Sequence, residues 1–280
     1  MSNIRKLLYR YFTAEKALDL IYSEELFFTP PKYLNDINEF TPSVEEEITD
    51  EMFFNQFYKE ELVRDIYDKS EQMKKLSSFA DYFKVLRNDP KERKFFKEAI
   101  LSASNKIASK LQEIFSDYYG VACFASRMDN KLMWAYYAES SKGICIGFDF
   151  DFKNTQLQYG EKGYVSYEPD RILIPNSFFY LDEQEQYQYF KEIIFRKGKE
   201  WEYEEEYRIV TEIKKNCQTK KVGDASYYYQ ALNLNDIHEI YLGPRFSAYK
   251  DLYKVIESKN IAPDIYQMDS NFNAVPYEVR

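Results

Sequence analysis

The chain has 280 residues, of which 45% are hydrophobic and 30% charged, and its formal net charge is −9. This composition predicts a globular protein with a full hydrophobic core, and the acidic balance argues against nucleic acid as a partner. The 3 cysteines fit no disulfide framework, and no apolar run is long enough for a signal peptide or a membrane helix, so a cytoplasmic protein without a membrane partner is expected.

The first forty residues predict a strand, a helix, a second strand and a loop. Residues 7–12, LLYRYF, form the first predicted strand, and Thr13 is placed as the N-cap of the helix AEKALDLIYSEE. The helical spacing is expected to turn four side chains inward, namely Ala17, Leu18, Ile21 and Tyr22. LFFTPP predicts the second strand, which Pro30 and Pro31 end, and LNDINEF predicts a loop.

Residues 43–118 have a different character, with acidic and lysine-rich stretches, aromatic residues at helical spacing and no evident strand. The clearest helix begins at Asp89 and Pro90, an N-cap followed by a proline at the first helical position. We expect this segment to be a helical insertion.

The remainder predicts strands mixed with helices. The predicted strands are YGVACFAS at 119–126, GICIGFDF at 143–150, YVSY at 164–167, EYRIVTEI, SYYYQAL and EIYLG. The predicted helices are NKLMWAYYAES capped by Asp129, DEQEQYQYFKEIIFRKG from Asp182 to Gly198, and AYKDLYKVIESK. Four lysines around residues 216–219 predict a solvated hairpin tip. The pattern indicates an α+β fold with a mixed, mainly antiparallel sheet, as a single domain over 1–280 with the helical insertion at 43–118.

WEYEEEYR, residues 201–208, has two interpretations. As a helix, it pairs Glu204 with Arg208 four residues apart on the surface. As a strand, it places Glu204, Glu206 and Arg208 on one face, where carboxylates beside a guanidinium would serve an active site. The sequence leaves both open.

Other candidate site residues each have a structural alternative. Arg10 in LYRYF is either an edge-strand arginine that reaches solvent or a clamp for an anion or ribose. Asn35, Asp36 and Glu39 either make turns or line the mouth of a pocket. Tyr136 and Lys142, on either side of a polar turn, are candidates to face a ligand.

The rarest residue types restrict the chemistry. With one histidine, His238, a His-based triad or a multi-histidine metal site is hard to build, and no metal site is predicted. The 8 glycines form neither GxGxxG nor a Walker loop. Chemistry is therefore expected from carboxylates, arginine, lysine, tyrosine and backbone groups.

Several motifs in order resemble one bacterial family, domain-of-unknown-function family 2971. They are LYRYF, LFFTPPKYLNDINE, VACFAS, LMWAYYAESSKGICIGFD, KGKEWEYEEEYRIV and IHEIYLGPR. The family usually has proline where this chain has Ile37, and histidine where it has Ser141. Any role of that histidine is therefore absent or replaced here.

The order of the predicted strands, helices and motifs is more loosely similar to that of ADP-ribosyltransferases. Those proteins have an arginine or histidine on an early strand and a glutamate motif on a late strand. Arg10 matches the first element, and residues 204–206 match the last. The resemblance implies NAD as the substrate, with Arg10 at its phosphate or ribose side and Tyr11 or Tyr136 on the nicotinamide.

The same resemblance implies roles for the late strand. Glu206 would stabilise the oxocarbenium-like transition state, Glu204 would orient or deprotonate an unknown acceptor macromolecule, and Arg208 would keep Glu206 ionised. A place in bacterial conflict or phage defence is suggested by this resemblance alone.

Three other interpretations remain open. The same groups could bind a nucleotide or another small ligand without catalysis, as a sensor. Alternatively, Asp36, Glu39, Glu204 and Glu206 could collect Mg²⁺ or Mn²⁺ in a hydrolase or nuclease. In the simplest case, residues 204–208 form a surface ion-pair ladder worth under ~1 kcal/mol.

Overall fold

The computed structural model describes residues 6–277, in which strands flank a run of consecutive helices between residues 50 and 118. The strands are β1 Leu8–Phe12, β2 Glu25–Phe28, β3 Ser43–Val44, β4 Tyr119–Ala125, β5 Ile144–Phe148, β6 Glu161–Tyr164, β7 Ser166–Glu168, β8 Leu173–Ile174, β9 Arg196–Gly198, β10 Glu206–Glu212, β11 Gln218–Val222, β12 Ala225–Ala231, β13 Ile237–Leu242, β14 Asp264–Met268 and β15 Ala274–Pro276. The α-helices are α1 Ala14–Ser23, α2 Asp50–Met52, α3 Glu60–Lys69, α4 Glu71–Leu76, α5 Phe79–Asn88, α6 Pro90–Ala108, α7 Leu111–Tyr118, α8 Lys131–Tyr136, α9 Glu183–Ile194, α10 Ile213–Asn216 and α11 Tyr249–Lys259. Short 3₁₀ segments cover Pro31–Tyr33, Phe178–Tyr180, Lys199–Glu204 and Leu234–Asp236, and a π-helical turn covers Phe53–Phe57.

An eight-stranded sheet in the order β15-β14-β13-β5-β1-β4-β10-β6 forms the centre of the fold. Its neighbouring strands run antiparallel except for β13 and β14, which are parallel. The predicted α+β fold with a mixed, mainly antiparallel sheet is confirmed. Over residues 6–277 no helix combines the length and apolar composition that crossing a membrane requires.

The sheet opens between β1 and β4. The two strands meet at one residue pair, Tyr9 with Ala125, whereas β1 follows β5 over five pairs and β4 follows β10 over seven. Further along β4, Val121 instead bridges to Thr29, just beyond β2, which belongs to a separate sheet in the order β11-β12-β2. The separation leaves a gap between β1 and β4, bordered by β2.

The strand alternation of β1 supplies both faces of the sheet with core residues. Leu8 and Phe12 join one hydrophobic cluster, while Tyr11 packs in another with Trp134. Thr13 caps α1 as predicted, since its side chain accepts a hydrogen bond from the backbone N–H of Lys16 at 3.3 Å. The expected inward position of Tyr22 is wrong, because this side chain is 66% exposed.

The described residues divide into two compact units. One comprises residues up to 39, 113–170 and those from 195, and the other comprises residues 40–112 and 171–194. The second unit has its own hydrophobic cluster, formed mostly by helical residues. Within this unit β3 pairs with β8, contrary to the expected absence of strands at 43–118. The single domain over 1–280 with an insertion at 43–118 stays a prediction.

Several helix ends differ from their predicted positions. The start of α6 is confirmed, because the Asp89 side chain accepts from the Lys91 N–H at 2.8 Å. In contrast, Asn130 rather than Asp129 caps α8, and Asp129 instead pairs with Arg127 at 2.6 Å. The helix α9 stops at Ile194, since the chain then pairs as β9 with β7. The lysine-flanked segment 216–219 is the end of α10 and the start of β11, not a hairpin tip.

Candidate functional site

The segment WEYEEEYR is neither one helix nor one strand. Its first half belongs to the 3₁₀ segment Lys199–Glu204, Glu205 is left-handed with φ 43°, and β10 begins at Glu206. Strand alternation therefore places only Glu206 and Arg208 on one face. The left-handed Glu205 changes the backbone conformation between the 3₁₀ segment and β10, and Glu204 lies buried with Glu206 and Arg208. The Glu205 carboxylate instead lies 3.5 Å from Arg127 at the surface.

Five charged side chains form what we term the buried ion-pair cluster: Glu39, Lys197, Glu204, Glu206 and Arg208. The Lys197 Nζ lies 2.6 Å from Glu204 Oε2, 3.1 Å from Glu39 Oε1 and 3.4 Å from Glu206 Oε2. The Arg208 Nε donates to Glu206 Oε1 at 2.8 Å, and its Nη2 donates to Glu206 Oε2 at 3.1 Å and to Glu39. All five side chains are buried, Arg208 completely. A surface ion-pair ladder is therefore not what this segment forms.

Two polar side chains fix the Glu204 carboxylate within the cluster. The Tyr137 hydroxyl donates to Glu204 Oε1 at 2.5 Å, and the Asn35 amide donates to the same oxygen at 3.0 Å. The Asn35 carbonyl oxygen accepts from Lys197 Nζ at 3.1 Å. Both oxygens of Glu204 are thus held, and the loop before Glu39 is tied to β9 and to the 3₁₀ segment Lys199–Glu204.

The cluster contains three carboxylates and two cations, and the pKa values of its members shift in different directions. Burial raises the pKa of Glu39 more than Arg208 and Lys197 lower it. Burial also raises the pKa of Glu206, but the charges of Arg208 and Lys197 outweigh this effect and hold the pKa at about 2. Burial lowers the pKa of Lys197, yet the three carboxylates raise it above its ordinary value. Glu206 is therefore ionised at neutral pH, and Glu39 is the carboxyl that accepts a proton more readily.

A cavity of about 600 Å³ opens at the gap between β1 and β4. Its wall includes Asn35, Glu39, Tyr137, Lys197, Glu204 and Glu206 from the cluster and its supports. These charged side chains therefore border the cavity, with almost all of their surface buried.

Arg10 lines the same cavity. Its Nη1 donates to the Phe27 carbonyl oxygen at 3.3 Å, and its guanidinium carbon lies 5.4 and 5.7 Å from the ring centroids of Phe12 and Phe124. Over residues 6–277, no acidic side chain lies within ion-pair distance of it. Burial lowers its pKa, but an arginine stays charged at neutral pH. Such a guanidinium is a ready anchor for an anion.

The structure brings most of the predicted site residues together. Those in or beside the cluster are Asn35, Glu39, Glu204, Glu206 and Arg208, and Arg10 and Tyr11 line the same cavity. The Tyr11 ring packs edge-on against Trp134 at 5.3 Å. Asp36 is buried and its Oδ1 accepts from the Asn38 N–H at 2.8 Å, a turn contact. Tyr136 and Lys142 are exposed and are not among the residues that line the cavity.

Sequence reasoning assigned no role to Lys197 or Tyr137. Both are central, since Lys197 contacts three carboxylates and Tyr137 donates to Glu204. The excess of glutamates over arginine in this part of the sequence could have pointed to Lys197, because several buried carboxylates near one arginine need a second cation. Tyr137 gives no such signal, since it follows another tyrosine on a short helix.

Among the described residues, no three His, Cys, Asp or Glu side chains are arranged to hold a metal ion. The Lys197 ammonium occupies the point where the three carboxylates of the cluster converge. Its charge fills the place that a divalent cation would take.

The model of one family, "Protein of unknown function (DUF2971)", matches residues 133–209. The match confirms the resemblance to that family over this segment, which contains Tyr137, Lys197, Glu204, Glu206 and Arg208. Arg10, Asn35 and Glu39 lie outside it. Neither the curated proteins nor the solved structures contain a match to the chain. The similarity to ADP-ribosyltransferases stays a prediction.

Proposed function

We propose that the cavity binds a nucleotide, specifically NAD, and that the protein is an ADP-ribosyltransferase-like enzyme that cleaves the bond between nicotinamide and ribose. Arg10 carries this proposal, because among residues 6–277 its guanidinium has no carboxylate partner, and it lines a cavity of about 600 Å³ that Glu204 and Glu206 also border. A phosphate would provide the anion that Arg10 lacks.

The chemistry assigns a task to each charged group. The bond between the ribose carbon and the ring nitrogen breaks, its electron pair leaves with neutral nicotinamide, and positive charge develops on the ribose. Glu206, ionised because Arg208 and Lys197 hold its pKa at about 2, stabilises that charge. The acceptor attacks the ribose carbon and passes its proton to Glu204 as general base.

The biological setting follows from this chemistry. Transfer of ADP-ribose to an acceptor macromolecule can inactivate it, which fits a role in bacterial conflict such as phage defence. NAD is an intracellular dinucleotide, so the proposal includes a cytoplasmic location.

A nucleotide sensor is the second candidate function, and the hydrogen bonding of the cluster favours it. Both oxygens of Glu204 and both oxygens of Glu206 already accept bonds from Lys197, Arg208, Asn35 or Tyr137. A carboxylate so held needs partners to shift before it can serve as a base. In the sensor, the cluster acts as a rigid floor beneath a bound nucleotide.

Thermal unfolding with NAD, ADP-ribose or no ligand tests the binding. At a concentration of 100 times Kd, a ligand stabilises the fold by about 2.7 kcal/mol, which we expect as a rise of several degrees in Tm. Arg10→Ala is expected to abolish the rise, and Arg64→Ala, which removes an exposed arginine paired with Glu60, to retain it. If neither nucleotide stabilises the unmodified protein, the proposal is wrong.

Nicotinamide release then separates the two functions. An enzyme releases nicotinamide from NAD, and Glu206→Gln is expected to slow this release at least a hundredfold while still binding NAD. Saturable binding of NAD without release, with or without a lysate as a source of acceptors, would instead establish the sensor.

A further inference from the structure

Three aromatic rings form a second feature of the cavity, which we term the aromatic shelf: Phe27 on β2, and Tyr227 and Tyr229 on β12. Phe27 and Tyr229 are direct partners in the antiparallel pairing of these strands. The ring of Phe27 lies 5.4 Å from that of Tyr229 and 6.0 Å from that of Tyr227. All three residues line the cavity.

Strand alternation explains why these rings are available. Leu26 and Phe28, on either side of Phe27, are completely buried in the hydrophobic core, so Phe27 projects from the opposite face of β2. Tyr227 remains 37% exposed. The rings of Phe27 and Tyr227 are therefore left on a cavity wall rather than packed in the core, where a bound planar group would bury them. The Lys220 ammonium lies 4.8 Å from the centroid of the Tyr229 ring.

The shelf adjoins the anion anchor. The Arg10 Nη1 donates to the carbonyl oxygen of Phe27 at 3.3 Å, so guanidinium and shelf share a hydrogen bond. Four members of the buried ion-pair cluster border the cavity, and none of them lies on β2 or β12; they are Glu39, Lys197, Glu204 and Glu206. The cavity therefore offers a carboxylate wall, a guanidinium and an aromatic shelf that are built from different elements.

We propose that the aromatic shelf is the base subsite of the nucleotide site and stacks the adenine ring, while the phosphates lie on Arg10. This assignment rests on the proposed nucleotide binding and deepens it. Aromatic side chains stack on the π-faces of nucleobases, and the shelf is adjacent to the group that would hold the phosphates. Nicotinamide, whose ring is positively charged in NAD, is then directed to the carboxylates of the cluster.

Binding constants for two half-ligands test the subsite. ADP-ribose has the adenine ring, and nicotinamide mononucleotide has a phosphate but no adenine. Tyr227→Ala is expected to weaken ADP-ribose binding roughly tenfold in Kd and to leave nicotinamide mononucleotide unchanged. Tyr227→Phe, which keeps the ring, is expected to bind ADP-ribose like the unmodified protein. Tyr22→Ala removes an exposed tyrosine outside the cavity and serves as the control.

The outcomes distinguish this inference from the proposed function. If Arg10→Ala weakens ADP-ribose binding but Tyr227→Ala does not, the shelf assignment fails and nucleotide binding stands. If Tyr227→Ala weakens both half-ligands equally, the shelf does not recognise adenine. If the unmodified protein binds neither half-ligand and not NAD, the nucleotide site itself is wrong and the shelf assignment falls with it.

Discussion

Lys197 sits in the interior because three carboxylates and one amide oxygen surround its ammonium group. A buried ion pair adds little net stability, but removal of one partner leaves charges that nothing compensates. The loss of Lys197 leaves Glu39, Glu204 and Glu206 with the single cation Arg208. The residue thus organises the cluster whether or not the cluster is catalytic.

Lys197→Met is therefore expected to lower the free energy of unfolding by about 3–5 kcal/mol at pH 7, measured by urea denaturation. Lys199→Met is the matched control, because Lys199 pairs with Glu202 at the surface and its loss is expected to cost under ~1 kcal/mol. Equal effects of the two substitutions would contradict the central position of Lys197.

The pKa of Glu206 predicts an acid-dependent loss of stability. Because the folded-state value is about 2 and the ordinary value is 4.5, the contribution of Glu206 is fully present above pH 4.5 and is lost as the pH falls toward 2. Its size is at most about 3 kcal/mol. Glu39, with a raised pKa, acts in the opposite sense, since its protonation in the folded state favours folding as the pH falls.

Glu206→Gln is expected to lose about 1.5–3 kcal/mol at pH 7 and to show a flatter dependence of stability on pH below 4.5 than the unmodified protein. Urea midpoints between pH 7 and pH 3 measure both effects. Glu202→Gln changes an exposed glutamate four residues away and should leave the profile unaltered. A Glu206→Gln profile parallel to that of the unmodified protein would show that this carboxylate does not titrate as proposed.

At the scale of elements, the turn after α8 is strained. Glu139, Ser140 and Ser141 all have positive φ, at 50°, 53° and 70°. Left-handed backbone costs an L-residue roughly 1–2 kcal/mol, and three in succession are rare. Hydrogen bonds hold the turn, among them Ser141 N–H to the Trp134 carbonyl at 3.0 Å and Gly143 N–H to the Ala138 carbonyl at 2.9 Å.

Ser140→Gly is expected to stabilise the protein by about 0.5–1 kcal/mol, because glycine adopts this φ freely and the Ser140 side chain is exposed. The matched control is Ser102→Gly, an exposed serine within α6, where glycine is expected to destabilise by a similar amount. Thermal unfolding followed by circular dichroism measures the direction of the change in stability for both variants. A drop in Tm for Ser140→Gly would exclude strain as a property of this turn.

Close backbone packing fixes the strand that follows the turn. A Cβ atom built on Gly143 would lie 2.0 Å from the Phe12 carbonyl oxygen, whereas one on Gly160 would meet nothing nearer than 3.9 Å. Gly143→Ala is therefore expected to cost more than 2 kcal/mol, and Gly160→Ala to lie within about 0.5 kcal/mol of the unmodified protein. Urea denaturation of both variants checks this, and a neutral Gly143→Ala would show that the contact can relax.

At the scale of the whole molecule, the cavity belongs to one of the two compact units, and each unit has its own hydrophobic cluster. We expect hydrogen–deuterium exchange with saturating ADP-ribose to slow the amides of β1, β2 and β12. The amides of α5 and α6, in the other unit, are expected to exchange as before. Uniform protection across both units, or protection in α5 and α6 alone, would contradict the proposed location of the site.

Much of this protein could be predicted from local patterns. The sequence by itself determined the α+β class, the alternation of β1 and the caps at Thr13 and Asp89, because periods of two and 3.6 residues and capping chemistry act between near neighbours. The proximity of Glu206 to Arg208 followed from only one of the two interpretations that the sequence left open.

Only the tertiary structure decided the composition of the cluster. Arg208 reaches Glu39 across 169 positions, Asn35 reaches Glu204 across the same separation, and the buried Glu204 is followed by a left-handed Glu205. Such contacts depend on the path of the chain through the sheet, and the residue periodicity of single strands and helices contains no information about that path. The separation of β1 from β4, and with it the cavity that contains Arg10, is likewise a product of strand pairing between distant segments.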